Sequence, residues 1–215
     1  MDDQTTEPGQ IVILNGAPRA GKSSIVKVIQ ETFEGVWMNL GVDVFARGVT
    51  PEQYQPGIGL RPGPGPGLGS DGSELEPLVP VFYAALYESI AAHSRLGLNV
   101  ISDFGHHGAI HPHLLGDCAR RLAGLPVLFA GVRCPIEEIM KRRNESPPGR
   151  YAVSSPDVPV PPPVSLWQEE VHKPGVYDLE VDTSLLSPEA CAATIRERLD
   201  TGPAPSAFRQ LAQRS

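Results

Sequence analysis

Short apolar runs of strand character punctuate the chain, and between them lie segments whose apolar positions recur every three or four residues. The runs are Ile11 to Leu14, Val36 to Leu40, Leu98 to Ser102, Pro126 to Val132 and about Leu179 to Val181. The fourth, PVLFAGV, is continuously apolar, as a strand covered on both faces must be. The first intervening segment, Lys22 to about Glu34, carries Ile25, Val28, Ile29 and Phe33 on one helical face. A longer one places Leu75, Leu78, Val79, Phe82, Leu86 and Ile90 on a buried stripe, with Pro80 expected to kink its early turns. Further helices are expected over Leu114 to Leu122, Ile136 to Arg143 and Leu166 to His172. A last one is opened by Ser187 as N-cap with Pro188 at the first helical position, its buried face made by Cys191, Ile195 and Leu199. Strand alternating with helix predicts an α/β fold with a parallel sheet and crossover helices.

Two stretches interrupt the alternation. Gln55 to Gly72, QPGIGLRPGPGPGLGSDG, is too rich in glycine and proline for a helix or a central strand. It reads either as a spacer or as a flap over an acceptor site, and the neighbouring Asp43 favours the flap. Ser155 to Val164 is a second proline-rich loop. The resulting division is a flexible N-terminus over 1–10, one domain over 11–200 with a flap at 48–73 and a lid at 141–164, and a frayed tail over 201–215.

Composition narrows the class. A chain of 215 residues accommodates one well-packed α/β domain. Its formal charge of −7, from 18 basic and 25 acidic residues, disfavours an extended nucleic-acid or anionic-membrane surface, so neither partner is expected. The three cysteines, Cys118, Cys134 and Cys191, are far apart and unpaired in pattern, as expected of buried thiols in a reducing cytoplasm. The opening MDDQTTEPGQ is acidic and polar, unlike a secretory leader, and no run approaches a membrane span.

The chemistry is concentrated at the first strand. Ile11 to Leu14 passes through Asn15 into GAPRAGKS, a match to G-x-x-x-x-G-K-[ST] with Gly16, Gly21, Lys22 and Ser23 in the defining places. Glycines let the backbone turn its N–H groups inward on phosphate oxygens, and Ala17, Ala20 and Ser24 complete the cradle expected for ATP. Lys22 is placed for the β and γ phosphates, and the Ser23 hydroxyl for Mg²⁺. Asp103, at the end of the third strand, is the expected second anchor of that ion. Asp43, just past the second strand, lies on the carboxyl edge where such sheets bind ligands. Arg133, Lys141, Arg142, Arg143 and Arg150 form a basic group after the fourth strand. They read as a lid closing on the triphosphate, with Arg142 placed at the transferred group and Arg133, Arg143 and Arg150 on the nucleotide.

Two other matches carry less. Asp103-Phe104-Gly105 spells the DFG of protein kinases without the other kinase signatures. His106, His107, His111 and His113 lack metal-binding register and fit better as a loop lining the acceptor pocket.

Together ILNGAPRAGKSS, GVDVF, the strand-end Asp103, GVRCP and YDLEVDTS resemble the chloramphenicol phosphotransferase family over about Ile11 to Leu199. The resemblance implies a small-molecule kinase of the P-loop type, with a five-stranded parallel sheet flanked by helices in a single domain. It would use ATP and Mg²⁺ to phosphorylate a hydroxyl. The family's catalytic aspartate falls on Asp43, where a carboxylate in reach of the acceptor would orient and deprotonate it. Asp43 as a helix cap is the plainer alternative. Pro18 and Arg19 depart from the small residues more usual in that family's loop, and the run Pro156 to Pro163 is longer. A hydroxylated antibiotic or related metabolite is the expected acceptor. A nucleotide or nucleoside kinase would call for more arginines near Asp43 than Arg47 and Arg61, and a non-enzymatic switch would need neither base nor basic lid. Acceptor identity, ATP against GTP, and oligomeric state are left open by the sequence.

Overall fold

The structure, a computed structural model, describes residues 7–51, 76–109, 111–147 and 151–214. Its five strands are β1 (Ile11–Asn15), β2 (Trp37–Asn39), β3 (Asn99–Phe104), β4 (Val127–Arg133) and β5 (Leu179–Asp182). They form one sheet in the order β2-β3-β1-β4-β5, with every pairing parallel. β1 is central, with Ile11 registered on Val100 of β3 and on Val127 of β4. The chain leaves β1 toward β2 on one side and later crosses to β4 on the other. The carboxyl end of β1 is therefore the point where strand order reverses, the place where open α/β sheets take ligands.

Alternation along the strands builds a core on each face. One core gathers Ile11, Ile13, Val100, Phe104 and Phe129 with α3 (Val79–Arg95), α4 (Leu114–Arg121) and α8 (Ala207–Gln213). The other gathers Val12, Leu14, Ile101, Leu128, Ala130 and Val132 with α1 (Lys22–Thr32), α5 (Ile136–Asn144), α6 (Pro162–Glu170) and α7 (Pro188–Thr201). Burial of each large side chain contributes roughly 1.5–3 kcal/mol, which is why β1 is apolar on both faces. The helix α2 (Val42–Val49) leans its Val42, Phe45 and Ala46 on the first core, and Phe45 meets the Phe82 ring edge-on at 5.4 Å.

Several expectations change. Pro80 does not kink a helix; after a 3₁₀ turn, Glu76–Leu78, it occupies the first turn of α3, where its missing N–H has no partner to lose. Pro162 similarly starts α6 four residues before the expected Leu166. The tail expected to fray instead forms α8, with Ala207, Phe208 and Leu211 buried. Phe208 packs edge-on to Phe129 at 5.0 Å, and Asp178 Oδ1 accepts from the Ser206 and Ala207 amides at 2.6 and 3.0 Å. A carboxylate remote in sequence thus caps this helix. Ser187 caps α7 as expected, accepting from the Ala190 amide at 3.2 Å.

All three cysteines are buried and free. Among the described residues no helix is long and apolar enough to cross a membrane. The stretch Gln55 to Gly72 and Arg150 lie outside the described residues.

Candidate active site

At the end of β1 the loop Gly16 to Gly21 wraps toward the N-terminus of α1. Gly21 adopts φ +90°, a left-handed conformation that glycine reaches without strain. The first turn of α1 holds no acidic residue and its N-cap provides no side-chain hydrogen bond, so the positive end of the helix is left for an anion. Lys22 Nζ donates to the carbonyls of Gly16 and Ala17 at 2.8 and 2.9 Å, folded back across the loop. Burial lowers its pKa, and attraction to Asp103 and then to Asp43 acts the other way. Both carboxylates therefore share the electrostatic neighbourhood of the lysine.

Strand alternation puts Asp103 on the same face of β3 as Ile101, the face α1 covers. There Ser23 Oγ donates to Asp103 Oδ2 at 2.9 Å. Gly41 packs beside them, and a Cβ there would force the Asp103 carboxylate to move. Gly41 is also the N-cap of α2, its amide held by Asn39 Oδ1 at 2.9 Å, and it leaves Asp43 exposed in the first turn of that helix. Asp43 is thus not the cap of the plainer reading, since Gly41 holds that position and no side chain caps the helix; it stands in the first turn, where the helix dipole favours a carboxylate, and its charge reaches Lys22.

A cleft of about 260 Å³ runs beside the loop, lined by Arg19, Lys22, Ser23 and Ser24 with Arg142 and Tyr151, and closed by Thr183, Leu186 and Pro188. Thr183, just past β5, donates from Oγ1 to the Ala20 carbonyl at 2.7 Å and so ties the last strand to the phosphate loop.

The arginines depart from expectation. Arg142, expected to point at the transferred group, donates instead to Thr183 Oγ1 and O at 3.1 and 2.8 Å, to Glu138 at 3.0 Å and weakly to the Arg19 carbonyl at 3.4 Å. Its planar fork braces the loop. Arg133 shares the phase of Gly131, which packs on the Tyr177 ring. It therefore turns away from the cleft to pair with Glu180 at 2.7 Å, over Tyr177. Arg143 is buried, donates to the Ala152 carbonyl at 3.2 Å and lies against Tyr151.

Arg19 is the one non-glycine residue among those described with positive φ, +74°. A left-handed L-residue costs roughly 1–2 kcal/mol, so contacts must hold it. They are a hydrogen bond from Nη2 to the Arg142 carbonyl at 2.8 Å and the Tyr151 ring, 5.3 Å from its guanidinium.

Beneath the loop, Asn15 joins three segments. Its Nδ2 donates to the Val171 carbonyl at 2.9 Å and to Tyr177 Oη at 3.0 Å, and its Oδ1 accepts from the His106 amide at 2.7 Å. His106 does not line a pocket: it is fully buried among Tyr83, Tyr87 and Phe104, with Nε2 2.7 Å from Tyr87 Oη. Burial, then the neighbouring His107, holds its pKa down to about 3. His107, pushed down to about 4 chiefly by burial, meets Trp167 edge-on at 4.9 Å. Among the described residues no group of three or more side chains is arranged to hold a metal by itself. The supporting roles of Asn15, Thr183 and Tyr151 were not read from the sequence. Asn15 and Thr183 had one available signal, a polar residue at the carboxyl end of an apolar strand.

The profile of the family described as chloramphenicol phosphotransferase-like protein matches residues 9–200. Two strains of Mycobacterium tuberculosis, CDC 1551 / Oshkosh and ATCC 25618 / H37Rv, each carry a relative named "Putative O-phosphotransferase". Each is 27% identical over 217 residues, covering 96% of this chain and 89% of the relative. In fold the chain is similar to the tunicamycin resistance protein of Deinococcus radiodurans (TM-score 0.59, 16% identity, 89% of this chain and 96% of that one). It is also similar to the APS kinase CysC of Mycobacterium tuberculosis, solved with AMPPNP and APS (TM-score 0.58, 15% identity, 90% and 99%). With a P-loop kinase fold and a family match over almost its whole length, the chain belongs to the chloramphenicol phosphotransferase-like family.

Proposed function

We propose that the protein is an ATP- and Mg²⁺-dependent phosphotransferase acting on a hydroxyl of a small molecule, an antibiotic or a related metabolite. The observation that carries this reading is the 2.9 Å pairing of Ser23 Oγ with Asp103 Oδ2, beside a lysine whose charge both Asp103 and Asp43 feel. A hydroxyl and a carboxylate oxygen side by side are hard donors of the kind Mg²⁺ takes while keeping several waters, so the residues present fit the ion. Bound together, ATP and Mg²⁺ would supply the phosphoryl group and screen its charge.

The protein's part is positioning. Lys22, folded onto the Gly16 and Ala17 carbonyls, is poised to exchange them for phosphate oxygens. The loop amides and the α1 N-terminus hold the anion, and Leu186 and Pro188 offer an apolar wall to a nucleobase. Asp43 takes the proton of the acceptor hydroxyl as its oxygen bonds to phosphorus and the bond to the bridging oxygen of the leaving diphosphate breaks. Arg142 lines the cleft with its guanidinium held by Thr183 and Glu138, and in these contacts it braces the loop rather than serving as the transferring cation.

The test is a panel of hydroxylated antibiotics and metabolites with ATP and Mg²⁺, followed by ADP release and product mass. At least one compound should gain the mass of a phosphoryl group. Asp43→Asn should abolish that gain while leaving nucleotide affinity nearly intact, and full turnover in this variant would remove Asp43 from the role. ATP hydrolysis that no acceptor stimulates would favour a switch instead.

A further inference from the structure

We infer that Arg19 is a positioning residue for the nucleotide: its side chain holds the phosphate loop against α5 and Tyr151, and the arginine pair so formed takes its counter-charge from the bound polyphosphate. The inference rests on the nucleotide reading of the cleft and goes beyond it by giving a task to a side chain that the phosphate-loop motif leaves unspecified.

Backbone geometry comes first. At φ +74° this position suits glycine, yet an arginine stands there. The contacts that retain it are reciprocal: Arg19 Nη2 donates to the Arg142 carbonyl at 2.8 Å, and Arg142 Nη1 reaches the Arg19 carbonyl at 3.4 Å. Strand β5 enters the same structure, because the guanidinium of Arg142 is held by Thr183, which itself donates to Ala20 of the loop. Loop, helix and strand end are thereby one braced unit.

Charge comes second. The guanidiniums of Arg19 and Arg143 each lie 5.3 Å from the centre of the Tyr151 ring, so two cations lie against one ring. Arg142 is neutralised by Glu138 at 3.0 Å. Among the described residues neither Arg19 nor Arg143 has a carboxylate within ion-pair distance, and Arg19 Nε is buried with no hydrogen-bond partner. Arg19 itself lines the cleft with Lys22 and Ser23. Like charges held close in a partly desolvated place favour an anion, and a polyphosphate seated on the loop is the anion within reach.

The experiment measures binding of a fluorescent ATP analogue, with inorganic tripolyphosphate as competitor, to the full chain and to Arg19→Gly, Arg19→Lys, Tyr151→Ala and the double variant Arg19→Gly/Tyr151→Ala. Arg19→Gly should weaken both ligands about tenfold or more while the melting temperature changes little, since glycine suits the backbone. Arg19→Lys should fall between, keeping charge but losing the planar fork. The double variant should lose less than the product of the single losses. If turnover with an acceptor is in hand, KM for ATP should rise more than kcat falls. Binding by Arg19→Gly equal to wild type, or strictly multiplicative losses, overturns the inference. A wild-type chain that binds neither ligand overturns the nucleotide reading itself, a different result from a wild type that binds and a variant that binds equally well.

Discussion

The two ends of the described chain make opposite contributions to legibility. The amino-terminal unit, β1 with its loop and α1, declares its structure and chemistry in fourteen consecutive residues, Ile11 to Ser24. The carboxyl-terminal helix α8 declares almost nothing, yet it buries Ala207, Phe208 and Leu211 in the aromatic core beneath the same sheet. The difference is one of range. An anion nest is made from neighbouring residues, so its requirements are written side by side. A docking helix of seven residues is made by its partners, here Phe129, Tyr87 and the Asp178 carboxylate, and its own stretch of sequence holds only half of each contact.

The largest effect is expected at α8. Phe208→Ala should cost about 3–5 kcal/mol of folding stability, measured by urea unfolding, as deletion of a buried phenyl ring commonly does. A loss below about 1 kcal/mol would return α8 to the status of a tail. At the other end Lys22→Ala should leave stability nearly unchanged and slow phosphoryl transfer roughly a hundredfold, about 2.7 kcal/mol, as loss of one strong contact to developing charge does. Turnover near wild type would detach the motif from function.

A third measurement tests the join between the two ends. His106 hangs by its amide from Asn15 of the first unit, and its ring lies against Tyr87, which stacks on Phe208 of the second. Its pKa is about 3 folded against an ordinary 6.5, so above pH 6.5 burial of the neutral ring carries no protonation penalty. As pH falls from 6.5 toward 3, the unfolded chain gains a proton that the folded chain refuses, and stability drops by about 1.4 kcal/mol per pH unit from this group. Urea midpoints across that window should show the decline, and His106→Phe should flatten it by about this slope. An unchanged slope would mean that the ring titrates while folded. The smallest effect belongs to a locally written feature: Ser187→Ala should remove about 1 kcal/mol by leaving the Ala190 amide without its cap, read as a shift in thermal midpoint.

The same contrast of range sorts the site. Asp103 was legible as an acid at a strand end, and alternation brings it to Ser23. The arginines were legible as a cluster but not in their directions. Arg133 follows the phase of Gly131 away from the cleft, while Arg142 and Arg143 are engaged by Thr183 and by Ala152 and Tyr151. Long basic side chains have the reach to satisfy several partners, so composition cannot say which they meet. His106 and His107 show the reverse error. A polar residue looks like a surface ligand until an aromatic enclosure such as that around His106 receives it.

Local pattern alone dictated the alternation of strand and helix, the phosphate loop, and an acid just past β2 and another near the end of β3, because periodicity and local backbone requirements act over a few residues. Only the folded surfaces fixed that Arg19 and Arg142 brace the loop at the cleft while Arg133 turns away, that His106 and His107 are core, and that Phe208 belongs inside. Those outcomes depend on surfaces that meet only after the chain has folded, when a side chain's partner is chosen by the space and charge left to it.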